Sequence, residues 1–296
     1  MSKIVITTDS GIDPINTNNM IPSQIIENGE TSYRDMIDIT PKEILSRQKL
    51  GSTFKTSSPI LSDYEDKFRE LLGAYDEIIH LSMSSGISEG SVNSSKLIAA
   101  DLNDELGEKI HVVDTLTGAT GGTLLNEIAN NILFKCDDSE TIINILNDIK
   151  TRITTSFYVP NPEGFVRSGR NKSDLYLKEK ALLMGVKASI MAGIKFRVDF
   201  NNEGNLYTKG ISRKKISQGA IKLVADVVNE DNKHLFEKNY AVVGTVQEDK
   251  VNMQDIIDYL YSLKYFNRVI RKDINGIVAC YGSPDLVGIS LVRKQK

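Results

Sequence analysis

Short apolar runs alternate with amphipathic helical patterns through the first half of this chain, and that alternation is its strongest constraint on fold. Strand-like runs stand at Ile4-Val-Ile6, Ile78–Leu81 and Ile110–Val113, with helical patterns at Pro41–Leu50, Ile60–Leu72 and Val92–Leu106 among them. Parallel strands need crossovers long enough to hold a helix, so this order predicts a mostly parallel α/β sheet. Thr40 and Glu43 stand at capping-box spacing, and Pro59 after Ser58 predicts a first helical position behind a cap. Ile60, Leu61, Tyr64, Phe68, Leu71 and Leu72 recur at i, i+3 and i+4, which predicts one buried helix face. Further helices are expected at about Gly121–Phe134 and Ser139–Arg152.

The pattern changes in the middle of the chain. From Phe157 to Lys172 two prolines, two glycines and two arginines interrupt the periodicity, which reads as a strand breaking into an irregular connection. At 296 residues the chain exceeds one typical domain. The expected division is an N-terminal α/β domain over residues 1–155 and a C-terminal α/β domain over residues 156–296. Strands are expected at Gly193–Phe200, Leu206–Lys209, Tyr240–Thr245, Val269–Lys272, Ile277–Cys280 and Val287–Val292, with helices near Asp174–Leu183, Arg213–Val228 and Met253–Leu263. Asn201-Asn-Glu-Gly204 reads as a hairpin turn, so the second sheet is expected to be mixed.

Composition removes several function classes. A net charge of −3 offers no basic footprint for nucleic acid. No apolar stretch approaches the roughly 20 residues that span a bilayer, and Lys3-Ile-Val-Ile6 follows the first residues without a signal-peptide pattern, so a cytoplasmic location is expected. Two cysteines, Cys136 and Cys280, make no disulfide framework. Three scattered histidines lack metal-ligand spacing, so neither a metal nor a cofactor is expected.

Chemistry concentrates where strands end in hydroxyls. The run into Leu81 stops at Ser82-Met-Ser-Ser-Gly-Ile-Ser88, and Lys55-Thr-Ser-Ser-Pro59 forms a second hydroxyl turn before another helix. Beyond the carboxyl ends of strands in an open α/β sheet, such turns and helix N-termini suit an anion. Thr56, Ser57, Ser84, Ser85 and Ser88 are therefore candidate ligand-binding residues, while simple helix capping remains the alternative. No catalytic residue is assigned, because Ser84, Ser85 and Ser88 lack the nucleophile-elbow spacing and an evident base. His80 and His111 are expected as packed strand residues, and His234 as exposed. Gly118-Ala-Thr-Gly-Gly122 matches neither phosphate-loop nor dinucleotide spacing. Gly121 is kept as a place where a ligand chain or the sheet approaches the backbone, tight packing being the favoured use.

Thr56-Ser-Ser-Pro59 followed by Ser84-Ser-Gly-Ile-Ser88 resembles the T-S-x-P and S-S-x-L-S-G signatures of the DegV family, bacterial proteins that bind fatty acids. Thr7-Thr-Asp-Ser10, Val112-Val-Asp-Thr115 and Gly164-Phe-Val-Arg-Ser-Gly-Arg170 resemble further family segments, in order along nearly the whole chain. The resemblance implies two α/β domains with a lipid pocket between or within them. It also implies a long-chain fatty acid whose carboxyl group lies near Thr56 and Ser88, and a fatty acid kinase as partner. Asp9 and Asp114 become turn-organising residues, and Arg170 a balance for the ligand's charge or a partner's phosphate.

Three departures qualify this resemblance. Glu89 stands as an extra residue before Gly90, Ser168 replaces one glycine before Arg170, and Cys280 occupies the place of a family histidine, with Tyr281 beside it as a substitute hydroxyl. An extra carboxylate beside a carboxylate site is repulsive unless it points outward into the first turn of the helix. Competing readings are an α/β enzyme acting on a small acid or ester through a serine in 84–88, and a diverged carrier of another ligand.

Overall fold

In the computed structural model, residues 3–161, 185, 188, 189 and 191–295 are described, and they form three sheets flanked by helices. The first sheet holds β1 (Ile4–Asp9), β2 (Met20–Ile21), β6 (Glu77–Ser82) and β7 (Ile110–Asp114) in the order β2-β1-β6-β7. All three of its pairings are parallel, as the alternation predicts. Side chains split strictly by parity. Ile4, Ile6, Ile79 and Leu81 enter one core, while Val5 and Ile78 enter the other.

Helices α2 (Leu61–Leu72) and α3 (Ser85–Leu106) contribute to the second of these cores. Tyr64, Phe68 and Leu71 are buried there, and full burial of each contributes about 1.5–3 kcal/mol. Ile60 and Leu61 depart from the expected stripe and are half exposed. Helix α2 also begins two residues later than the Ser58–Pro59 reading, with Ile60 as its uncapped first boundary. The capping box of α1 (Pro41–Lys49) forms as its spacing predicts: Glu43 N–H donates to Thr40 Oγ1 and Thr40 N–H to the Glu43 carboxylate. Asp138 caps α5 (Ser139–Arg152) through Thr141 N–H at 2.8 Å.

The second sheet holds β8 (Ile153–Val159), β9 (Lys195–Phe200), β10 (Leu206–Ser212), β11 (Tyr240–Thr245), β12 (Arg268–Asp273) and β13 (Val287–Val292), in the order β10-β9-β8-β13-β11-β12. Only β11 and β12 pair in parallel, so the sheet is mixed. The Asn201–Gly204 turn joins β9 to β10, with Gly204 at φ +75°. Helices α6 (Ile216–Val227) and α7 (Met253–Ser262) cover one face of this sheet. The expected helix near Asp174–Leu183 lies outside the described residues.

Helix α4 (Thr120–Leu133) joins the two sheets. It packs against β1 as well as β8, β11 and β13. Its first residue sits where Gly244 and Gly288 carry no side chain, each of whose missing Cβ positions lies 3.0 Å from Thr120 Cγ2. Val242, Ile270 and Val292 from the second sheet accordingly share one core with Ile4, Ile6 and Leu124. Strand β8 crosses the 155/156 division and lies wholly in the second sheet.

Two elements correct the sequence reading. The Lys55–Pro59 segment is not a turn throughout: β5 (Phe54–Ser57) pairs with β3 (Gln24–Glu27), which pairs with β4 (Thr31–Arg34), in a small antiparallel sheet. Its residues are mostly polar and of mixed burial, and they carry no alternating apolar signal. The expected strand at Ile277–Cys280 is a short helix, α8 (Gly276–Tyr281). A short apolar run is ambiguous by periodicity. Here the backbone of Gly276 packs so close to Asp35, Ile25 and Ile44 that a Cβ would meet all three.

Candidate functional site

Two carboxylates at parallel strand ends shape the turn after β6. Asp9 accepts a hydrogen bond from Met83 N–H at 2.8 Å and one from Ser82 Oγ at 3.2 Å. Burial pushes its carboxyl up to about 6, with these donors opposing the shift. Asp114 Oδ1 accepts from Ser85 N–H and Leu116 N–H, both at 3.1 Å. The turn is thus held from both neighbouring strands.

Its serines have distinct duties. Ser84 Oγ accepts from Gly86 N–H at 3.2 Å and donates to the Gly204 carbonyl at 2.8 Å, which ties the turn to the β9–β10 hairpin. Ser85 enters the Asp114 arrangement through its backbone. Ser88 leaves helical geometry (φ −133°, ψ 71°), so α3 is kinked there, and Ser88 Oγ lies 2.8 Å from Ser91 Oγ. Glu89 is exposed in the turn that follows, where an acid is favourable.

Thr56 lies on β5 and meets Tyr281, which is 225 residues away in the chain. Thr56 N–H donates to the Tyr281 hydroxyl at 2.9 Å, and Thr56 Oγ1 lies 2.7 Å from the same oxygen. Ser57 is exposed at the strand end, and Ser58 Oγ occupies the space a Cβ on Gly90 would need. Cys280 is buried, and its carbonyl accepts from Gln48 Nε2 at 3.0 Å. Gly121 sits under Thr117 and Thr155, whose hydroxyls leave no room for a side chain. Arg170 lies outside the described residues.

A narrow apolar cavity of about 40 Å³ opens beside these groups. Met83, Ile87, Gly118 and Ala119 line it from the carboxyl ends of the parallel strands. Phe157, Phe200 and Leu206 close it from the second sheet, while Ile277, Val278 and Tyr281 come from α8. A wider cleft of mixed lining, about 590 Å³, lies beside Gln48, Lys49 and Lys55 and also includes Cys280 and Tyr281. Tyr281 therefore borders both the apolar cavity and this cleft. The structure brings Thr56 and Tyr281 into direct contact, whereas Ser84 and Ser88 bond elsewhere. Sequence reasoning missed Met83, Ile87, Phe157, Phe200 and Leu206; Met83, Phe200 and Leu206 are apolar residues at or just beyond a strand end, whereas Phe157 lies within β8 and Ile87 within α3.

His80 faces away from this cavity. Its ring meets Tyr64 and Phe68 edge-on, at 5.5 Å from each, and burial lowers its pKa to about 3. His111 is half buried beside Glu77 at 3.2 Å, and His234 is exposed.

Comparison with known proteins agrees with this geometry. A DegV domain-containing protein from Mycoplasma genitalium is 26% identical over 314 aligned positions, covering both chains fully. A DegV family protein from Eubacterium eligens, solved loaded with heptadecanoic acid, superposes with a TM-score of 0.82 at 14% identity, covering 98% of this chain and all of the other. The Streptococcus pneumoniae fatty acid kinase (Fak) B3 protein, solved loaded with linoleic acid, superposes with a TM-score of 0.79 at 17% identity, over 99% of this chain and all of the other. These likenesses establish the shared fold. The profile of the family described as "Uncharacterised protein, DegV family" matches residues 3–294, and the chain belongs to the DegV family.

Proposed function

We propose that this protein is a fatty-acid carrier that encloses a long-chain fatty acid and presents its carboxyl group to a fatty acid kinase. The observation that carries this reading is the apolar cavity bordered by Tyr281, whose hydroxyl meets Thr56, with a wider cleft of mixed lining that Tyr281 also borders. Burial of each methylene contributes about 0.8 kcal/mol, enough over a long chain to exceed ordering costs. Thr56 and Tyr281 supply neutral hydroxyl groups for the carboxylate. Related folds solved with heptadecanoic and linoleic acids support the ligand class, and the fatty acid kinase B3 protein supports the partner.

The reading is of a binding protein rather than an enzyme. The hydroxyl of Ser84 is engaged by the Gly204 carbonyl, and His80 stands between Tyr64 and Phe68, remote from any role as its base. In the carrier reading, Arg170 serves the phosphate brought by the kinase. Arg170→Ala is expected to reduce acyl-phosphate formation while leaving lipid binding intact; equal loss of both would end that assignment.

Mass spectrometry of the natively purified, then denatured protein tests the carrier reading. A stoichiometric fatty acid is expected, whereas a different co-purified ligand, or no acyl binding on titration, would overturn it. Placement of the headgroup is tested separately with Thr56→Ala and Tyr281→Phe. Loss of a hydrogen bond to a charged group predicts affinity weakened by roughly tenfold or more in each. The fatty acid methyl ester should lose less. Unchanged affinity in the double variant would place the carboxylate elsewhere.

A further inference from the structure

Met83 is held in a notch that two glycines open for it. Its N–H is fixed on Asp9, at 2.8 Å, while its side chain forms part of the cavity wall. A Cβ on Gly11, just past β1, would run into Met83 Sδ and stand 3.1 Å from its Cβ and Cγ. A Cβ on Gly118, past β7, would stand 3.2 Å from the Gly11 carbonyl oxygen, 3.3 Å from Met83 Cε and 3.5 Å from its Cγ. Neither glycine has the positive φ that would by itself call for glycine. The two positions thus provide space for the thioether, not backbone freedom.

Across the cavity the wall is stiffer. Phe157 and Phe200 form a tilted aromatic pair with ring centroids 6.1 Å apart. Flat rings on adjacent strands cannot change width, whereas an unbranched thioether with three rotatable bonds can. We infer that Met83 is the specificity-determining residue of the cavity, the adjustable wall that lets one site take both straight and cis-kinked acyl chains. This inference rests on the carrier reading and adds to it a residue that sets which chains are accepted. Gly11 and Gly118 position Met83, and Gly118 also lines the cavity.

The physical consequence is a set of opposite shifts. Met83→Ile keeps comparable bulk but is stiff at its first side-chain torsion, so the kinked chain should be rejected. Met83→Ala opens room beside the aromatic pair, so the kinked chain should be favoured. Gly118→Ala presses on the thioether and pushes it toward the ligand, mimicking the isoleucine. In a Met83→Ala background the same Gly118→Ala change should shift selectivity less, because the thioether it presses on is gone while its contact with the Gly11 carbonyl and its place in the cavity wall remain.

The experiment is displacement of a bound fluorescent fatty acid by stearate and by oleate, which have the same length but differ in shape. The ratio of their dissociation constants is read for wild type, Met83→Ile, Met83→Ala, Gly118→Ala and the Gly118→Ala/Met83→Ala double variant. Shifts of about fivefold or more are expected, against oleate for Met83→Ile and Gly118→Ala and toward oleate for Met83→Ala, since pocket changes of one or two methylenes discriminate on this scale. Gly118→Ala keeps the test decisive should a Met83 variant fold poorly. Ratios within about twofold of wild type in every folded variant would overturn the role of Met83 while leaving the carrier standing. Wild type that binds neither acid would instead overturn the carrier reading, and this inference with it.

Discussion

Gly122→Ala is expected to lower stability by about 3 kcal/mol, with Gly122→Val costing more. Alanine in a helix interior ordinarily gains about 1 kcal/mol over glycine, so the expected sign is opposite to propensity. The reason is contact between backbones. A Cβ on Gly122 would meet the carbonyl oxygen of Ile12 and lie 2.7 Å from Ile12 Cα and 2.9 Å from its carbonyl carbon. None of these atoms belongs to a side chain that can swing away. On the next residue, Thr123 Oγ1 donates to the Asp13 carbonyl at 2.7 Å, which pins α4 to the same turn. To admit the methyl group, α4 must retreat from the loop after β1, and α4 is the helix shared by both large sheets. Gly118 and Ala119, just ahead of α4, line the cavity, so acyl affinity should fall together with stability. Urea melts read the first effect as a lower midpoint at unchanged slope. A midpoint equal to or above that of wild type would show that the contact is not tight.

Asp35→Asn should make stability less dependent on pH, with a gain of roughly 4 kcal/mol over wild type at pH 8 and little difference near pH 4. Asp35 is fully buried, and its Oδ1 accepts from Gly276 N–H at 3.1 Å, at the start of the helix that carries Ile277, Val278 and Tyr281. Loss of solvation pushes its carboxyl up to about 7, with the Asp13 charge adding to the rise and the Ser10, Gly276 and Ile277 donors opposing it. Asp13 itself is raised to about 6 by burial, although Lys272 Nζ lies 3.0 Å from its Oδ1, and Asp273 adds a further negative charge. Asp9 is likewise raised to about 6.

An aspartate in the unfolded chain titrates near pH ~3.9, so between that value and about 7 the folded protein holds more protons. Unfolding free energy therefore falls as pH rises through this window, and the contribution of these acids is complete only below it. Asparagine imitates the protonated acid and removes one step of that fall. Denaturant melts across pH 4–8 measure it; a constant offset between Asp35→Asn and wild type at every pH would mean that Asp35 ionises at its ordinary value.

Several features were legible because their causes are local. The unbroken apolar run Ile4-Val-Ile6 announced a strand, and in the structure its residues divide between two cores. Thr40 and Glu43 form their capping box within four residues, and the Asn201–Gly204 turn closes within its own hairpin. The expected bounds of β11 and β13 match those observed. In each case the hydrogen bonds or the apolar period lie inside the segment that displays them.

What the sequence determined by itself was the class of the fold, the parallel and mixed character of its two large sheets, and the hydroxyl turn that borders the cavity. Tertiary structure decided the rest. Ile277–Cys280 became helical where Gly276 packs against the Asp35, Ile25 and Ile44 side chains, and Thr56 met Tyr281 across 225 residues. Met83 and Phe200, ordinary apolar residues in the chain, became opposite walls of one cavity. Periodicity records which face of an element is apolar, but not which distant element will cover it; that depends on the packing of segments whose separation in sequence carries no local signal.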